Sequence, residues 1–191
     1  DRHVMTVLSP SRAVAYDLLS GALLWENDDL KRQKAAQTNV RYYTSSTNIL
    51  RSTANPCDVA GGVLAELTWD EDAGRPVARV IDLLTGRVLW QRESIERTFK
   101  GVWIVGDRVV ITAGADGSQL LICDRRTGRL IRNDSLKGLT TRSQLVWTDQ
   151  GLAYMSGTDV RFAPVAEGAE AWSVPGPNNV QPRTLMTTES N

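Results

Sequence analysis

A single histidine and only two cysteines in 191 residues leave this chain short of the groups that most hydrolases and metalloenzymes depend on. With His3 alone, a Ser-His-Asp or Cys-His apparatus has one imidazole to draw on, at the chain terminus, and a histidine-rich metal site has none to spare. Cys57 and Cys123 are not in a Cys-x-x-Cys pair, and they read as two small apolar side chains of the core, with a disulfide between them as the alternative. An excess of one charge is also missing. Lys and Arg number 22 and so do Asp and Glu, which argues against a general nucleic-acid or anionic-membrane surface. No run of 18 apolar residues occurs, so no transmembrane helix is expected. The chain opens at Asp1 with neither Met nor a visible signal peptide, and it reads as a processed or excised piece.

What the chain does have is a repeat. Asp17-Leu-Leu-Ser-Gly21-Ala-Leu-Leu-Trp25 returns as Asp82-Leu-Leu-Thr-Gly86-Arg-Val-Leu-Trp90 and as Asp124-Arg-Arg-Thr-Gly128-Arg-Leu-Ile-Arg132. A worn fourth copy is Pro164-Val-Ala-Glu-Gly168-Ala-Glu-Ala-Trp172. The glycines at 21, 86, 128 and 168 are separated by steps of 65, 42 and 40 residues. A period near 40 means similar units stacked on one another.

The third unit shows what one repeat contains. Val102-Trp-Ile-Val105, Val109-Val-Ile-Thr-Ala113, Gln119-Leu-Leu-Ile-Cys-Asp124 and Arg129-Leu-Ile-Arg132 are short β-rich runs separated by Gly/Asp turns. Four antiparallel strands in about 40 residues is the size of one propeller blade. The last turn of each unit has its own chemistry. The Asp carboxylate accepts from amides a few residues on, and the Gly takes the positive φ of a hairpin loop with a bulge. The Trp then falls on the outermost strand, where its flat side chain packs across to a neighbouring blade.

The pattern Ala-x-Asp-x-x-Thr-Gly-x-x-x-Trp resembles the repeat of the quinoprotein-type, or PQQ-like, β-propeller family. It is matched at Ala15, Asp17, Gly21 and Trp25 and at Asp82, Thr85, Gly86 and Trp90. Asp124 and Gly128 match with Arg132 in the place of Trp, and Gly168 and Trp172 match with Pro164 in the place of Asp. The resemblance implies an all-β β-propeller of four-stranded antiparallel blades. It also implies one of two functions, because the family holds quinone-dependent dehydrogenases beside non-catalytic binding propellers. Its catalytic members carry the quinone over a vicinal Cys-Cys disulfide with calcium nearby. This chain has no adjacent cysteines, so the binding branch is favoured, without PQQ or calcium, in a periplasmic or extracellular bacterial setting. A fragment of a quinoprotein dehydrogenase, or the sensor propeller of a signalling protein, is the alternative.

Laid on this template, the chain forms one domain or arc, with blades near residues 1–26, 53–92, 99–133 and 142–174 and a tail over 175–191. About four blades, the first without its opening strand, point to an arc cut from or completed by a larger propeller, because an open arc exposes apolar blade flanks. A closed four-blade ring is the alternative. The long step holds an insertion over 27–52, read as a short helix capped by Asn27 or Asp28 and then a polar, aromatic stretch. Arg41, Tyr42 and Tyr43 there are of the types enriched at binding hot spots and are the candidate protein-binding residues. Trp103 and Trp147 fall at similar places on first strands, where core packing is the favoured role and an aromatic ligand platform the alternative.

Overall fold

A computed structural model of the chain describes residues 4–8, 13–27, 57–70, 74–94, 99–114, 117–136, 138–139, 145–148 and 150–176. Every regular element among them is a β-strand. Strands β1 (Val4–Leu8), β2 (Ala13–Asp17) and β3 (Leu23–Asn27) form the first sheet in chain order. Strands β4 (Cys57–Ala60), β5 (Val63–Asp70), β6 (Arg75–Asp82) and β7 (Val88–Glu93) form the second. The third holds β8 (Phe99–Val105), β9 (Arg108–Ala113), β10 (Gln119–Asp124) and β11 (Leu130–Ser135). The fourth holds β12 (Leu145–Trp147), β13 (Gly151–Ser156), β14 (Asp159–Pro164) and β15 (Trp172–Val174). Each sheet is an antiparallel meander of sequential strands, the connection that short turns permit.

The three well-formed turns share one irregularity. The ladder slips between Ala15 and Tyr16, between Val80 and Ile81, and between Ile122 and Cys123. Each slip lies just before the turn Asp and is the bulge that the positive-φ glycine closes. Gly21, Gly86 and Gly128 sit at φ of 70°, 69° and 69°. The middle strands carry the heaviest apolar load. In β9, five consecutive residues, Val109 to Ala113, are buried, because this strand is covered by blades on both faces.

The core is divided among the joints between blades. Ala13, Ala15 and Trp25 pack with Leu64, Ile81 and Leu83 at the first joint. Ala65, Val80 and Trp90 pack with Val109, Ile111 and Cys123 at the second. Trp103, Leu120 and Ile122 pack with Leu152, Ala163 and Val165 at the third. No core cluster among the described residues joins the fourth sheet to the first. The first strands β4 and β8 lie against each other, as strands nearest the centre of such an arrangement must.

One expectation is corrected and others fall outside the described residues. Asn27 is the last residue of β3, and the short helix expected after it falls on residues outside the described ones. Residues 28–56, including Asp28, Arg41, Tyr42 and Tyr43, lie outside the described residues, as do His3 and the tail from 177 onward. Trp103 and Trp147 are not at matching positions. Trp103 pairs with Val110, whereas Trp147 pairs with Leu152 as Ile104 does with Val109. One position out of step puts them on facing sides of the third joint, ring centroids 5.2 Å apart and tilted by 35°. With Trp103 fully buried, the pair is core packing.

Candidate functional site

The repeated motif builds a turn and then uses it as a seat. Asp82 Oδ1 accepts from the Leu84 amide at 3.0 Å and from the Thr85 amide and hydroxyl, each at 2.8 Å. Asp124 Oδ1 accepts from the Arg126 amide at 3.1 Å and from the Thr127 amide and hydroxyl, each at 2.8 Å. Asp17 does the same with the Leu19 and Ser20 amides at 2.9 and 3.0 Å. Burial pushes the Asp82 carboxyl up, but the Thr85 and Leu84 donors and the nearby Arg87 outweigh it and hold it below the usual value. The Thr127 hydroxyl and amide hold the Asp124 carboxyl down in the same way.

The second and third turns each receive a side chain from the preceding blade. Trp25 donates its indole N–H to the Leu83 carbonyl at 2.7 Å, and Trp90 donates to the Arg125 carbonyl at 2.8 Å. In both cases the acceptor is the residue after the turn Asp. The ring then lies over the turn glycine. A Cβ on Gly86 would stand 2.8 Å from the Trp25 ring, and one on Gly128 2.7 Å from the Trp90 ring. The glycine therefore meets two requirements, a left-handed φ and a bare surface for the indole.

The third joint lacks its Trp and still keeps the contact. Arg132 Nη1 donates to the Pro164 carbonyl at 2.9 Å and to the Ala166 carbonyl at 3.2 Å, either side of the residue that a Trp would address. Asp134 holds the other arm of the same guanidinium. No ring lies over Gly168, and a Cβ there would meet nothing within 4 Å. By the motif alone, Arg132 is a lost Trp. The signal that identifies it is donor chemistry, since Arg is another long, flat side chain bearing N–H groups.

A second feature follows from the same turns. Leu23, Val88 and Leu130 each stand two residues past a turn glycine on an outermost strand, and all three are exposed. Leu19 and Leu84 are exposed at the tips of the turns. Trp25 and Trp90 hold two of these outermost strands against the next blade's turn, so the exposed side chains recur at the same place from blade to blade. The motif reading passed over them, since only their unusual exposure marks them.

Trp172 breaks the pattern. Its motif position predicts burial against a neighbouring blade, yet it is exposed and, among the described residues, stacks on Phe162 of its own sheet, centroids 5.4 Å apart. The two cysteines are not joined in a disulfide and lie in different joints, Cys57 against the first core cluster and Cys123 within the second.

Sequential antiparallel sheets, stacked face to face with their first strands at the centre, define the chain as an all-β β-propeller of four-stranded blades. No protein-family pattern matches the chain, and no curated protein does. Among solved structures it is similar to the propeller Hsv2 of Kluyveromyces lactis, at 10% identity and a TM-score of 0.55, over 92% of this chain and 48% of that one. It is also similar to the computationally designed proteins Ika8 and Ika4, each at 15% identity and a TM-score of 0.48, over 90% of this chain and 61% and 89% of theirs. The chain thus spans about half the length of Hsv2.

Proposed function

We propose that the chain is a non-catalytic β-propeller module that binds a protein partner, in a periplasmic or extracellular bacterial setting. The observation that carries this reading is the repeated apolar rim, where Leu23, Val88 and Leu130 stay exposed at equivalent places on three successive blades. Large apolar residues left exposed at the same place on successive blades, in a chain whose charges balance, favour docking of another protein. The setting rests on the resemblance of the repeat to quinoprotein-type propellers. The vicinal cysteine pair that carries the quinone in that family's catalytic members has no counterpart in this sequence, which favours the binding branch. None of the described elements is a helix long and apolar enough to cross a membrane.

A photo-crosslinking residue placed at Leu84 or Val88 tests the reading in producing cells. One discrete crosslinked protein, lost when Leu19 and Leu130 are changed to Asp, is the expected result. Crosslinks that leave the rim silent and appear only from the Asp107 turn would overturn it.

A further inference from the structure

The first blade turns outward a face that every later blade buries against its predecessor. The residue before the turn Asp, or before Pro164, which stands in its place, is Ile81, Cys123 or Ala163 in those blades, paired with Leu64, Val109 or Leu152. All six are buried. Their counterparts in the first blade are Tyr16 and Met5, paired in the same register. Tyr16 is only half-buried, and Met5 is 43% exposed. Val7, one row further, is 48% exposed where Ile111 and Tyr154 are buried. Leu18 is 54% exposed where Leu83 and Val165 are buried. Gly21 has the left-handed φ of a seat glycine, yet a Cβ there would meet nothing within 4 Å. The first turn is a built seat with no ring on it.

The fourth blade shows the converse. Trp172 is 49% exposed where Trp25 and Trp90 are 9% exposed. Beneath it, Phe162 and Val160 are half-buried where Val80, Ile122, Ala78 and Leu120 are buried. Blade four therefore presents the side chain that blade one is shaped to receive, and the two surfaces continue a joint the molecule already forms three times over.

We propose that the two faces dock between two copies of this chain, head to tail. Trp172 of one copy lies over Gly21 of the other and donates its indole N–H to the Leu18 carbonyl. Both halves of the joint are on one chain, and where each arc spans half a turn two copies satisfy each other at both ends as a closed ring. Two four-blade arcs reach the upper end of the roughly 4–8 blades at which propellers close. This inference goes beyond the partner-binding reading and uses none of its rim residues.

Sedimentation equilibrium on the 191-residue chain gives the test. The expected species has twice the 21.0 kDa chain mass. Trp172→Ala and Gly21→Ala are each expected to halve that mass and to leave the β-sheet circular dichroism unchanged, because Trp172 is half-exposed, a Cβ at Gly21 meets nothing within 4 Å, and Ala is the smallest side chain that can take its left-handed φ. Mixing the two variants decides the geometry. One copy then retains an intact Gly21 seat and the other an intact Trp172, so a head-to-tail joint restores the double mass. A symmetric contact of Trp172 against Trp172 restores nothing. A wild-type chain that stays at single mass overturns the proposal. A dimer that neither variant disturbs, or an open series of ever-larger species, overturns it equally.

Discussion

At the scale of single residues, the turn glycines are the most heavily constrained positions. Gly86→Val combines a strained left-handed φ with a Cβ 2.8 Å from the Trp25 ring. The expected loss is about 2–4 kcal/mol, read as a lowered urea midpoint. Gly168→Ala has the same sign of φ but open space above it, so its loss should stay near about 1 kcal/mol. Equal losses at the two sites would mean that the ring contact adds nothing. Arg132→Met removes two donations to carbonyls of the next blade and should cost about 1–2 kcal/mol. Cys123 offers an independent probe. Burial pushes its thiol up, against a smaller opposing pull from Arg92. Alkylation of the native protein at mildly alkaline pH should therefore modify Cys57, which is only partly buried, well before Cys123. Equal rates would contradict the placement of Cys123 in the second joint.

At the scale of elements, the hairpin turns couple the fold to pH. Asp82 and Asp124 titrate below their ordinary value of 3.8 in the folded state. A depressed carboxyl gives stability that is complete above the unfolded value and is lost as pH falls through the folded one. Stability should therefore be flat from neutrality to about pH 5 and fall below about pH 4. Asp82→Asn should flatten part of that acid limb, and an unchanged slope in urea midpoint against pH would show that the turn carries none of it. This level was also the most legible in the sequence. Asp-x-x-Thr-Gly states the turn, the bulge and the strands on either side, because all of that chemistry lies within five residues. Arg132 was illegible for the opposite reason. Its partners, Pro164 and Ala166, are more than thirty residues away, and no local pattern marks them.

At the scale of the whole molecule, the repeat spacing told where blades begin but not which of their faces are covered. The face of Met5 and Val7 looks in sequence like any other half-buried strand, and only register shows that its equivalents are fully buried elsewhere. Trp103 and Trp147 misled for a related reason, since a shift of one residue moves a side chain to the opposite face of a strand. The partner-binding residues placed in the 27–52 insertion fall outside the described residues, and the rim Leu23, Val88 and Leu130 came from exposure alone. What unites the molecule is one joint used repeatedly, an N–H donor on the outermost strand laid over the turn of the next blade. Indole N–H exchange, followed by NMR in deuterated water, tests that claim most directly. Trp25 and Trp90 should exchange far more slowly than a free indole, and Gly86→Val should release Trp25 while Trp90 stays protected. Exchange of both at the rate of free tryptophan would contradict the account.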